Sequence, residues 1–185
     1  MGFFDVDYSK AEEDKSKLFP AGTYEMTTNQ VTMDASRNGH QCMQFEFIVR
    51  KDLDKVKELS DTNAKCHGRH YWANVWTEKD DNGNDTGTFK KTDLNNIAKA
   101  YGIPDHTPIE SADQFMNMLV GKPVRIKILL RKNKYNGQET DQNSTFCSSW
   151  EPTKFQAKGA GAAKLADPFN GTGDTTDVSD DDLPF

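Results

Sequence analysis

Val124-Arg125-Ile126-Lys127-Ile128-Leu129-Leu130-Arg131 is the stretch whose reading decides the fold. Val124, Ile126, Ile128 and Leu130 alternate with Arg125, Lys127 and Arg131, the period of two of a half-buried strand. Its place in the chain matters as much as its pattern. Just upstream, Thr92 is expected to cap a helix that carries Leu94, Ile97, Ala98 and Tyr101 on one face, with Gly102 and Pro104 as its stop. Ser111-x-x-Gln114 reads as a capping box for a second helix bearing Phe115, Met118 and Leu119, ended by Gly121. The 124–131 stretch therefore returns the chain from helix to strand.

Working outward, three strands precede the helices. The first runs from Thr23 to about Val31. In the second, Met43, Phe45, Phe47 and Val49 alternate with Gln44, Glu46 and Ile48. The third spans about Arg69 to Thr77. Residues 33–40 and Asp80-Asp81-Asn82-Gly83-Asn84 read as turns, and the charged stretch 51–64 as a loop with at most a helical turn. Downstream, Asn136-Gly137 is a hairpin-turn signal. A fifth strand, 142–150, ends at Trp150. Three strands, a helical segment and two strands is the order of an OB-fold. The expectation is a mainly β, five-stranded OB-fold barrel with a helix between strands 3 and 4. Other small β-rich domains share that order.

Residues 1–150 are expected to form this body. From 151 the composition changes to a Gly159-Ala160-Gly161-Ala162-Ala163 linker and a Gly/Thr/Asp-rich stretch, read as a flexible tail over 151–185. The chain of 185 residues carries 29 acids and 23 bases, a net charge of -6. Asp167, Asp174, Asp177, Asp180, Asp181 and Asp182 account for that whole excess, so the body is neutral. No apolar run approaches the roughly 20 residues of a membrane span. The N-terminus has neither the basic start nor the apolar stretch of a secretory signal. Three cysteines at irregular spacing suit reduced thiols in a cytoplasm.

The chemistry-bearing features are four. From Gln114 to Gln138 there is no acid, while Lys122, Arg125, Lys127, Arg131, Lys132 and Lys134 lie there and Tyr135 adjoins the turn. Such a one-signed run suits a phosphate backbone; the alternative is a solvated strand face that resists edge pairing. In Arg69-His70-Tyr71-Trp72-Ala73-Asn74-Val75-Trp76, alternation separates Tyr71, Ala73 and Val75 from His70, Trp72, Asn74 and Trp76. Trp72 and Trp76 are either stacking platforms for bases or core plugs, and Arg69 would join the same footprint. Cys66-His67-x-x-His70 lacks the second ligand pair of a structural zinc site, so no metal and no cofactor is expected. No catalytic motif stands out. The chain ends Asp180-Asp181-Asp182-Leu183-Pro184-Phe185, where aspartates precede an apolar tip with a terminal ring and carboxylate, suited to docking on a basic partner surface.

That ending resembles the acidic tip of bacterial single-stranded DNA-binding proteins, which usually have Ile where Leu183 stands. The body is similar to phage-encoded single-strand-binding proteins of Gram-positive hosts in Pro20-Ala21-Gly22-Thr23-Tyr24-Glu25, in residues 94–104 and in Leu119-Val120-Gly121-Lys122-Pro123-Val124. The resemblance implies a non-enzymatic protein of replication, recombination and repair in a bacterial cytoplasm. Its tip would recruit partner proteins of those pathways, and no membrane is involved. It assigns no DNA-contacting residue; those rest on charge and alternation.

The expected function is sequence-independent binding of single-stranded DNA. Two alternatives stay open: a replisome adaptor whose body binds protein, and a metal-dependent nucleic-acid enzyme using Cys66, His67 and His70. Self-association is left open too.

Overall fold

The structure is a computed structural model, and it describes residues 18–135 and 137–155. Two compact units divide the chain at Phe155. The first is the body. The second, Gln156–Phe185, lies outside the described residues, and so do the tip residues Asp180, Asp181, Asp182, Leu183, Pro184 and Phe185.

The body is mainly β. Its strands are β1 (Gly22–Ala35), β2 (Gln41–Val49), β3 (His70–Lys79), β4 (Asp85–Phe89), β5 (Pro123–Tyr135), β6 (Gln138–Ser144) and β7 (Glu151–Pro152). Among the described residues three α-helices interrupt them: α1 (Asn63–Cys66), α2 (Lys91–Ala100) and α3 (Ala112–Leu119). The strands form one antiparallel sheet in the order β4-β3-β2-β1-β5-β6, with β7 also paired to β5.

This corrects the expected closed five-stranded barrel: among the described residues the sheet has seven strands and is open. Among the described residues no ladder joins β6 to β3. The physical reason lies at Phe19. Its backbone N–H donates to Asn143 Oδ1 (2.7 Å), and its carbonyl accepts from Asn143 Nδ2 (2.8 Å). Its ring meets Tyr71 edge-on at 5.5 Å. Phe19 thus sits where β3 and β6 would otherwise pair.

One face of the sheet carries the core. Tyr24 and Met26, Phe45 and Phe47, Tyr71 and Val75, and Val124, Ile126 and Ile128 are all buried on it. Ile97 and Tyr101 from α2 and its end, with Phe115 and Leu119 from α3, pack against them. Trp150 closes the layer, edge-on to Phe45 at 5.1 Å and Phe47 at 5.4 Å. Aromatic pairs in this geometry add about 0.5–1.5 kcal/mol beyond the area they bury. Ser111 caps α3 as its sequence indicates, its Oγ accepting from Gln114 N–H at 3.1 Å. The α2 cap is Lys90 rather than Thr92, which lies inside the first turn.

Beyond Ile128, β5 leaves β1 and, among the described residues, pairs with β6 alone, so the two form a ribbon arm. Leu130, which alternation places on one face with Val124, Ile126 and Ile128, is therefore exposed while those three are buried. The expected fifth strand 142–150 is instead β6, ending at Ser144, followed by a 3-10 turn over Cys147–Ser149.

The body also runs five residues past the expected boundary at 150. Behind the core, the far side of β1 is roofed by α1 and by residues 151–155. Asn63 is fully buried; its Oδ1 accepts from Glu25 N–H (3.0 Å), and its Nδ2 donates to Glu25 O (2.7 Å) and Arg50 O (3.2 Å). Glu25, equally buried, accepts from Thr153 Oγ1 (2.6 Å) and Lys154 N–H (3.1 Å). Arg50 forks onto Asp52 and donates to Phe155 O at 2.5 Å. Burying polar groups is costly unless they are satisfied in this way. The network therefore fixes the segment up to Phe155 to the body.

Candidate nucleic-acid interface

β3 alternates between exposed and buried along its length. Tyr71, Ala73 and Val75 go inward, while His70, Trp72, Asn74 and Trp76 go outward. The indoles are not core plugs: Trp72 is 55% and Trp76 39% exposed. Four residues at about 3.3 Å each place them about 13 Å apart.

Each indole has a histidine neighbour. His40, from the turn before β2, stacks on Trp76 at 4.9 Å and 24°. His70 stacks on Trp72 at 5.7 Å and 28°. Both histidines are anchored, His40 Nε2 to Thr77 O (2.9 Å) and His70 Nδ1 to Glu46 Oε1 (2.6 Å). Glu46, directly across from Trp72, also accepts from Asn29 Nδ2 at 2.7 Å. The Asn29 amide first, and His70 second, hold its carboxyl below the ordinary carboxylate range. Sequence reasoning missed His40 and Glu46, because only cross-strand register brings them to the indoles.

A groove of about 360 Å³ runs between β3 and β6, lined by Trp72, Asn74 and Trp76 on one side and Gln142 and Ser144 on the other. Gln142 is paired in register with Arg131, whose guanidinium lies 4.4 Å over the Phe146 ring. Phe146 was another unforeseen member; it is 43% exposed.

The basic run does not form one patch. Lys122, Lys127, Arg131, Lys132 and Lys134 are exposed. Lys122 stands at the start of β5, about 40 Å from Lys134 along an extended strand. Arg125 departs from its expected place on an open cationic face. It is half-buried opposite Glu25 in register, its Nε 3.9 Å from Glu151 Oε2. On the arm, Glu139 lies 3.6 Å from Lys132 and 3.8 Å from Lys134. The stretch is acid-free in sequence but not in space. Exposed pairs of this kind are worth at most about 1 kcal/mol and exchange readily for another anion. Tyr135 pairs with Gln138 through its backbone; its side chain lies outside the described residues.

Arg69 also sits away from the indoles. Its guanidinium lies 4.1 Å over Phe19 and its Nη1 donates to Cys66 Sγ, so it braces the Phe19 staple. The Cys66-His67-x-x-His70 trio is dispersed. Cys66 is buried, His67 Nδ1 is 2.9 Å from Asp54, and His70 belongs to Glu46. Among the described residues no group of three or more His, Cys, Asp or Glu could hold a metal ion, and no helix is long and apolar enough to cross a membrane.

These features define an open, mainly β body with an aromatic outer face beside a cationic arm. Residues 4–164 match the family described as Protein of unknown function (DUF669), and the chain belongs to that family. No protein with a curated description matches the chain.

Proposed function

We propose that this protein binds single-stranded DNA without base-specific readout, through the outer face of β3 and the β5–β6 arm. The observation that carries the reading is the pair of exposed indoles, Trp72 and Trp76, on one strand face beside the arm. Exposed indoles on one strand face are suited to stacking, and every base offers a ring to stack on. Lys127, Arg131, Lys132 and Lys134 supply the electrostatic term. Glu46 repels phosphate beside Trp72, so bases turn toward the indoles and the backbone follows the arm.

The connectivity supports reading the body as an OB-type sheet left unclosed at the β3–β6 seam, with β5 returning to β1 after the helices. The acidic tip Asp180–Phe185 would recruit replication, recombination and repair proteins, and the protein would act in a bacterial host cytoplasm. Both statements rest on the resemblance of the sequence.

A mixed-sequence oligonucleotide, as a single strand and as its duplex, tests the reading by gel shift of the full chain. A shift of the single strand at lower protein concentration supports it, and no shift of either overturns it. The adaptor alternative has one observation in its favour, the ion pairing of Lys132 and Lys134 with Glu139, which weakens the field that DNA would meet. An adaptor would leave both probes unshifted.

A further inference from the structure

The outward face of β3 carries a fixed spacing. Trp72, Asn74 and Trp76 follow one another along it and line one wall of the groove. Each step of two residues covers about 6.6 Å, which puts the indoles about 13 Å apart. The histidine stacks hold that separation in place. His70 stands on Trp72 and is tied to Glu46, and His40 stands on Trp76 and is tied to the Thr77 carbonyl. The position between the indoles is an amide rather than a ring, with Asn74 Oδ1 accepting from Gln44 Nε2 at 3.4 Å.

The flanks of β3 differ in character. On one side Glu46 of β2 stands in register with Trp72. On the other, Gln142 and Ser144 of β6 form the far wall of the groove, and Arg131 is in register with Gln142. Phosphates are repelled on the first side and attracted on the second, so a nucleic acid runs along β3 rather than across it. Bases in a duplex strand rise by about 3.4 Å each, and a strand drawn out of its stack about doubles that, to roughly 7 Å per nucleotide. One drawn-out nucleotide matches the step from Trp72 to Asn74, and two match the step from Trp72 to Trp76.

We propose that Trp72 and Trp76 hold every second base of a drawn-out single strand, with the intervening nucleotide crossing at Asn74. The spacing stands on β3 itself; that its occupant is a nucleic acid rests on the reading above.

Two labelled oligothymidylates of equal length and charge, each lacking half its bases, test the spacing by fluorescence anisotropy with the full chain. In one, a base and an abasic site alternate singly. In the other, two bases alternate with two abasic sites. Bases two apart exist only in the singly alternating strand, bases one or three apart only in the paired strand, and bases four apart in both. The order of affinities therefore reads the spacing wherever the strand lies on the face. The singly alternating strand should bind about fivefold or more tightly, the worth of one stacked base. In Trp72→Ala or Trp76→Ala the two strands should bind alike. Equal affinities for the unaltered chain overturn the proposal, and if complete oligothymidylate is still bound the nucleic-acid reading stands without it. Tighter binding of the paired strand overturns it in favour of a step of one or three. A preference that survives both alanine variants also overturns it, because it would belong to the strand rather than to the indoles. If complete oligothymidylate is not bound either, the nucleic-acid reading falls and the spacing proposal with it.

Discussion

Replacing Trp72 or Trp76 by alanine should weaken single-strand binding while sparing the fold. Trp72 keeps 55% and Trp76 39% of its surface exposed, so truncation removes little that holds the body together. Each indole stacks on a histidine, at 5.7 Å for Trp72 and 4.9 Å for Trp76, and keeps surface exposed beside the groove. Each can therefore stack one base. Stacking is worth about 1–3 kcal/mol per base, or roughly 5- to 150-fold in affinity. The indoles are about 13 Å apart along β3. Sites separated by more than about 7–10 Å act independently. The double variant should thus lose roughly the product of the two single losses. Fluorescence anisotropy of a labelled oligonucleotide measures the affinities, and a thermal melt checks the fold. Losses below about threefold in both single variants, with unchanged melts, would mean that the indoles do not carry bases.

Three further predictions address the scaffold. Asn63→Ala strips three buried hydrogen bonds and orphans the Glu25 amide; it should cost about 3 kcal/mol, lowering Tm by about 10 °C, and a drop under about 3 °C would mean that the network does not hold the roof. The Thr77 hydroxyl, then the Gln41 and Gly87 amides, hold the Asp85 carboxyl at about 2. This depressed value adds stability above the ordinary carboxylate range of about 4, and the gain disappears as pH falls from about 4 through about 2. The Gln41 and Gly87 amide shifts should report that low midpoint and go flat in Asp85→Asn; a midpoint near 4 would refute the contacts. Burial, with Asp93 second, pushes the Cys147 thiol up to about 12, so at pH 8 iodoacetamide should modify it far more slowly than free cysteine. Equal rates would place Cys147 at the surface.

Much of the scaffold was legible because it is written in short periods. β3 follows its alternation residue by residue, since Tyr71, Ala73 and Val75 have a core to enter and the indoles do not. Ser111 is legible because a cap is a local contact. β4 escaped notice because Asp85-Thr86-Gly87-Thr88-Phe89 is polar and carries a glycine at φ +69°; it is a strand only because β3 extends to meet it. The barrel failed for a non-local reason, the Phe19–Asn143 staple, which links positions 124 residues apart. Within the site, the indoles and arm cations were visible one by one, but their surroundings were not. The pairing of Arg125 with Glu25 depends on the distant β1. The ion pairs of Lys132 and Lys134 were within reach: a two-residue turn at Asn136-Gly137 already places Glu139 across from Lys134 and Asp141 across from Lys132.

The most direct test of nucleic-acid binding is the salt dependence of affinity for a single strand, measured beside its duplex. Four exposed cations lie along β5, Lys127 beside β1 and Arg131, Lys132 and Lys134 on the arm. If all four meet phosphate, log K should fall against log salt with a slope of about -3, and the single strand should bind more tightly than the duplex throughout. A slope near zero, or a duplex bound equally well, would contradict the account.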